Sequence, residues 1–204
     1  MPVTLLDLEM RFGARMVLDG LTATFPAGRM CALMGPSGAG KSTLLAIVAG
    51  HLTPTAGRAR VTDVAGAPTR DVEWLVQSTP TLARRSAWDN AALGALARGV
   101  DRRAARAEAA QVLDDLALGP VREVRAFRLS GGERQRVAVA RSIVRRTPVL
   151  LADEPTASLD PVSRAAVCDA LRAAAGAGAT VVVATHDPAV ADRCDQVLLL
   201  EHGR

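Results

Sequence analysis

The sequence predicts an α/β fold: a mostly parallel sheet covered by helices, with a β-rich start and an inserted helical block. Three observations predict it. The apolar run Met30 to Met34 leads through a glycine-rich stretch into an apolar helical pattern, Leu44 to Ala49. From Val149 onward, short β-like runs alternate with helical stretches, as parallel strands joined by crossovers do. Between these, from about Leu82 to Thr147, lies a largely helical block.

Each element has its own local reason. Val3 to Met10 and Leu21 to Phe25 are rich in apolar and β-branched residues and read as strands, with Arg11-Phe12-Gly13 as the turn after the first. Gly57 to Val61 and Val72 to Val76 are short β-like runs, and Thr79 to Arg85 is loop. Trp88 to Leu118 is alanine-rich and helical, interrupted near Gly99 and stopped by Gly119-Pro120. Ser130 opens a helix running to about Arg146, with Pro148 just beyond. Val149 to Ala152 is a buried strand. Pro161 to Ala175 is a helix with Asp160 as cap and Pro161 at its first position. Val181 to Ala184, Pro188 to Cys194 and Val197 to Leu200 follow as strand, short helix and strand.

Composition bounds the function. The 204 residues suit one domain, and 49% hydrophobic content can fill a core. Net charge is +4 and the pI about 9.7. Twelve arginines face six acidic residues between Arg98 and Arg146. Without tyrosine, and with few other aromatics to interleave, that excess reads as a solvated helical face rather than a nucleic-acid surface. Cys31, Cys168 and Cys194 are odd in number and far apart, which suggests neither a disulfide framework nor a zinc site but a reduced, cytosolic protein. The start lacks a signal-peptide pattern, and the longest uncharged alanine-rich run, Ala173 to Thr185, is too short to span a bilayer.

Gly35-Pro36-Ser37-Gly38-Ala39-Gly40-Lys41-Ser42-Thr43 matches the spacing of a phosphate-binding loop. Its glycines let backbone N–H groups converge on an anion, and the helix N-terminus adds its positive dipole end. Lys41 would reach the β- and γ-phosphates, and Ser42 would hold Mg²⁺. Lys41 is the only lysine among 25 basic side chains. Codon bias accounts for the arginines but not for the exception: a tight loop admits a compact ammonium better than a planar guanidinium.

The second motif is Val149 to Ala152 followed by Asp153 and Glu154. Ligands of open α/β sheets sit beyond the carboxyl ends of strands, so Asp153 would hold Mg²⁺ opposite Ser42. Glu154 would polarise an attacking water. The third is Leu129-Ser130-Gly131-Gly132-Glu133. Ser130 would cap the helix, while Gly131 and Gly132 would let an anion approach its N–H groups.

With these three motifs in this order the chain resembles the ATP-binding cassette (ABC) family, whose signature is Leu-Ser-Gly-Gly-Gln or -Glu; the resemblance extends over essentially the whole chain. Gln77 matches the family's Q-loop glutamine, Ser158-Leu159-Asp160 its D-loop, His186 its switch histidine and Phe12 the aromatic that stacks on adenine. The resemblance implies a phosphate-loop NTPase core with an antiparallel β subdomain near the N-terminus and an inserted α-helical subdomain. Residues 1–81 and 148–204 would form the core with its β subdomain, and 82–147 the helical subdomain carrying the signature. It also implies a mechanism. Two cassettes close head to tail, with ATP and Mg²⁺ between the phosphate loop of one and the signature of the other. Glu154 would be the general base, His186 a γ-phosphate contact, Gln77 a sensor of metal and transporter, and Asp160 a residue of the dimer seam. The expected partners are a second cassette chain, as a homodimer, and integral membrane permease subunits; the protein would sit on the cytoplasmic face of the membrane. A regulatory cassette that drives a membrane partner without transport is the alternative.

Two departures stand out. Where the family often has Phe-Pro and then Glu-Asn after the Q-loop, this chain has Leu82-Ala83 and Asp89-Asn90, with Arg84 and Arg85 between them. The end at Arg204 leaves no regulatory C-terminal domain in the expected architecture, and Leu-Ala-Asp-Glu-Pro-Thr resembles small exporter-type cassettes.

Overall fold

A computed structural model describes residues 1–63, 66–69, 71–77 and 80–201. Strands β1 (Val3–Phe12), β2 (Arg15–Phe25) and β4 (Ala56–Val61) form an antiparallel sheet in the order β2-β1-β4. Strands β3 (Met30–Met34), β5 (Val72–Leu75), β6 (Val149–Asp153), β7 (Thr180–Thr185) and β8 (Gln196–Leu199) form a wholly parallel sheet in the order β5-β6-β7-β3-β8. Helices α1 (Lys41–Val48), α2 (Ala87–Leu96), α3 (Arg102–Asp115), α4 (Gly131–Val144), α5 (Pro161–Gly176) and α6 (Pro188–Ala191) complete the described elements, with short 3₁₀ turns at Gly119–Val121 and Ala126–Arg128.

The central parallel strands β3, β6 and β7 are almost wholly buried and mostly apolar because both their faces are covered. Side chains alternate across a strand, so β6 serves two cores. Val149 and Leu151 pack with α1 and with Leu5, Leu8 and Phe25 of the antiparallel sheet. Leu150 and Ala152 pack on the opposite face with residues of α2 to α5. The parallel sheet is therefore the middle layer, and its strands' carboxyl ends open onto the turn before α1.

Most boundaries fall within three residues of expectation; the first hairpin differs more. The expected turn at Arg11-Phe12-Gly13 is instead strand up to Phe12, and β2 starts at Arg15 rather than Leu21. Pairs Arg11↔Met16 and Phe12↔Arg15 extend the ladder, and register shifts absorb the irregular pattern before Leu21. At one such irregularity Asp7 takes φ 46° and its carboxylate accepts from Thr22 Oγ1. The interruption expected near Gly99 is present: Gly99 takes φ 82°, Asp101 recaps the chain through the N–H groups of Arg103 and Ala104, and the second helix ends at Asp115 rather than Leu118. Helix α6 ends at Ala191 rather than Cys194. Thr79, first residue of the expected loop, and residues 202–204 of the closing segment lie outside the described residues. Among the described residues no helix is long and apolar enough to cross a membrane.

Candidate nucleotide site

The turn from β3 into α1 is built by close approach. A Cβ on Gly35 would stand 2.3 Å from the Leu200 carbonyl oxygen, so only glycine fits there. Gly40 takes φ 103°, and a Cβ there would sit 3.1 Å from the Val17 carbonyl oxygen. Gly40 also occupies the N-cap of α1, where no side chain caps the helix. The first N–H groups of α1 are thereby left for a ligand. The Lys41 ammonium folds back across the loop and donates to the carbonyls of Gly35 (2.7 Å) and Pro36 (3.1 Å). Ala39 is buried beneath the loop.

A cavity of about 740 Å³ opens over this turn. The loop contributes Ser37, Gly38, Gly40, Lys41, Ser42 and Thr43 to its wall. The carboxyl end of β6 contributes Asp153 and Glu154, the residue after β7 is His186, and the residue reached after β5 is Gln77. Phe12, half exposed, stands at the rim.

Asp153 is buried and hydrogen-bonded to the Ser42 side chain. Burial pushes its carboxyl above the usual carboxylate range, against the pull of that hydrogen bond. Glu154 holds a left-handed backbone, φ 49°, fixed by donation of its N–H to the Ala184 carbonyl at 2.9 Å. A non-glycine residue in that region stores strain, which the neighbouring strand sustains here. Its Oε1 lies 2.7 Å from His186 Nδ1, and its Oε2 accepts from Thr185 Oγ1 at 3.5 Å. A carboxylate can only accept, so Nδ1 carries the proton in that pair.

The signature lies elsewhere. Ser130 caps α4: its hydroxyl accepts from Glu133 N (3.2 Å), and Glu133 Oε2 accepts from Ser130 N (2.7 Å). That backbone hydrogen bond holds the Glu133 carboxyl below its usual range. A Cβ on Gly132 would lie 3.2 Å from Leu159 Cδ2, while Gly131 is open. Asp160 caps α5 by accepting from Val162 and Ser163 N–H groups. None of Ser130, Gly131, Gly132 and Asp160 lines the cavity of their own chain.

Arg15, Val17 and Ala157 line the cavity without having been marked by any motif. The pairing of Phe12 with Arg15 depends on where the first hairpin turns, which linear spacing did not reveal. The donors beside Lys41 are all oxygens or amides: the Ser42 hydroxyl, the Asp153 carboxylate and the Gln77 side chain. Such a set suits a hard cation that keeps part of its water shell, such as Mg²⁺. An uncapped helix start, a lysine and a carboxylate–histidine pair in one cavity can hold a polyphosphate and take a proton from water beside it.

The ABC transporter family model matches residues 18–157. The aliphatic sulfonates import ATP-binding protein of Rhizobium johnstonii is 40% identical over 205 residues, covering 99% of this chain and 74% of that one. The lipoprotein-releasing system ATP-binding protein of Cereibacter sphaeroides is 40% identical over 205 residues, covering 95% and 92%. A solved dimeric ATP-binding cassette in a post-hydrolysis state with ADP and Pi superposes with a TM-score of 0.85 at 26% identity, covering 98% of this chain and 95% of that one. The loop before α1, the Asp153–Glu154 pair and these matches agree: the chain belongs to the ABC transporter family, as one of its nucleotide-binding, ATP-hydrolysing cassettes.

Proposed function

We propose that this chain hydrolyses Mg²⁺-ATP at sites shared between two copies of itself and couples hydrolysis to membrane permease subunits from the cytoplasmic face. The observation that carries the hydrolytic reading is the 2.7 Å Glu154–His186 pair beside the Ser42–Asp153 pair in one cavity. The two-copy reading is supported by the position of Ser130, Gly131 and Gly132 away from the cavity, and by the dimeric cassette it superposes on. The permease reading is supported by relatives named for import and for release systems.

In this reading the adenine stacks on Phe12 and the phosphates lie over residues Gly35 to Thr43, including Pro36, Ser37, Gly38, Ala39 and Gly40. Lys41 leaves its loop carbonyls for the β- and γ-phosphate oxygens. Ser42, Asp153 and Gln77 would hold Mg²⁺, which neutralises charge on the phosphate oxygens when bound. Glu154 accepts a proton from the attacking water at its carboxylate, while His186 holds that carboxylate in place and contacts the γ-phosphate. Ser130, Gly131 and Gly132 of one copy close on the nucleotide of the other, with Asp160 at the seam. Residues 82–147 form a helical subdomain beside a core made of 1–81 and 148–204.

Glu154→Gln tests this. It removes the proton acceptor and spares the phosphate contacts, so ATP should be retained and hydrolysis lost. A closed dimer should then accumulate on size exclusion in ATP and Mg²⁺. A monomeric variant that still hydrolyses ATP would overturn the assignment.

A further inference from the structure

The β1–β2 hairpin brings to the cavity a cation that no motif marks. Its ladder closes on the pair Phe12↔Arg15 around Gly13 and Ala14. Directly opposed residues of an antiparallel pair stand side by side on one face. Arg15 therefore stands beside the Phe12 ring, and both line the cavity. The guanidinium also reaches the phosphate loop: Arg15 Nη2 lies 3.9 Å from the position a Cβ on Gly38 would take. Arg15 thus spans the mouth, from the exposed aromatic to the exposed corner of the loop. No carboxylate among the described residues forms an ion pair with it. The other cationic side chain of the wall, Lys41, already donates to two carbonyls of its own loop.

A nucleotide whose base lies at Phe12 and whose terminal phosphates lie at Lys41 passes beneath this guanidinium. We propose that Arg15 is a nucleotide-binding residue of this chain, pairing through its guanidinium with a phosphate oxygen of the bound nucleotide. The inference rests on the reading of the cavity as the nucleotide site. A planar fork of donors matches phosphate oxygens. The role is affinity rather than chemistry: Glu154 and His186, not Arg15, form the pair placed to take the proton from water. Because Arg15 is exposed, its contribution weakens as salt rises.

The test uses ADP as probe, which needs no turnover. Calorimetric titration of ADP into the wild-type chain, R15A and R15K, at low and high salt, should show R15A about tenfold weaker at low salt, since a hydrogen bond to a charged group typically gains that much. R15K should fall between, and the wild-type advantage should shrink at high salt. With ATP, R15A should raise KM by a similar factor and change kcat far less. Should R15A melt early without nucleotide, R15Q, which keeps a polar stem, is titrated instead. ADP binding by R15A equal to wild type, or a loss in kcat with KM unchanged, would overturn the assignment of Arg15. A folded wild-type chain that binds no ADP would overturn the nucleotide reading itself.

Discussion

At the scale of single residues, Lys41 shows how chemistry overrides composition. The chain uses arginine at every other basic position. At Lys41 the ammonium donates to two carbonyls of its own loop at 2.7 and 3.1 Å. A compact point charge can make both contacts from inside the loop and then exchange them for phosphate oxygens. A guanidinium is wider and flat, so it must displace either the loop or the phosphates. Misplacement of about 1 Å at a reacting centre costs on the order of a hundredfold in rate. Lys41→Arg is therefore expected to lower ATP hydrolysis by at least that factor, with the nucleotide-free melting temperature unchanged. Steady-state ATPase activity alongside a thermal melt decides it; near-normal hydrolysis would make the lone lysine an accident of composition. The lysine was legible because its motif has a fixed linear spacing. Arg15 was not, because it is defined by cross-strand pairing with Phe12 and not by any spacing.

At the scale of elements, the same division holds. Strands β3, β6 and β7 were legible because burial on both faces demands unbroken apolar runs, such as Val181-Val182-Val183. The first half of β2 was not, because Leu18 alone of its residues is fully buried, Arg15 is exposed and Gly20 interrupts the pattern. The break near Gly99 was legible from that glycine, but the start of the next helix was not, because the capping role of Asp101 shows only once the chain has turned. Helix–helix contact was hidden in the same way. Gly94 reads as a weak point in an alanine-rich helix, yet it is where α2 meets α4. A Cβ there would lie 2.3 Å from the Arg141 carbonyl oxygen and 2.6 Å from the Arg145 N. Both atoms are backbone, so the helices themselves must part. Gly94→Ala, which would raise helix propensity in isolation, should instead destabilise the protein by about 1–3 kcal/mol, as overpacking does. A differential scanning melt should show a fall of roughly 2–4 °C for each kcal/mol. An unchanged or raised melting temperature would show that α2 and α4 separate at no cost.

At the scale of the whole molecule, the proposed two-copy reading gives one chain two halves of different sites. The phosphate loop, Asp153, Glu154 and His186 converge on one cavity, while Ser130 starts α4 outside it. Ser130 is exposed, and its capping box is satisfied within its own chain. The Ser130→Arg change removes that cap at a cost of about 1 kcal/mol, which a folded domain survives. It also places a bulky cation where a partner's nucleotide would rest. The variant should bind ADP as wild type does, through its own phosphate loop, and should not hydrolyse ATP. Lys41→Ala should fail for the opposite reason, with an intact signature and a defective loop. Mixing the two inactive variants is then decisive. In a mixed dimer, the loop of the Ser130→Arg chain meets the signature of the Lys41→Ala chain, and that one site is whole. ATPase activity should reappear on mixing and rise with the fraction of mixed dimer. A mixture no more active than its components would mean that each chain works alone.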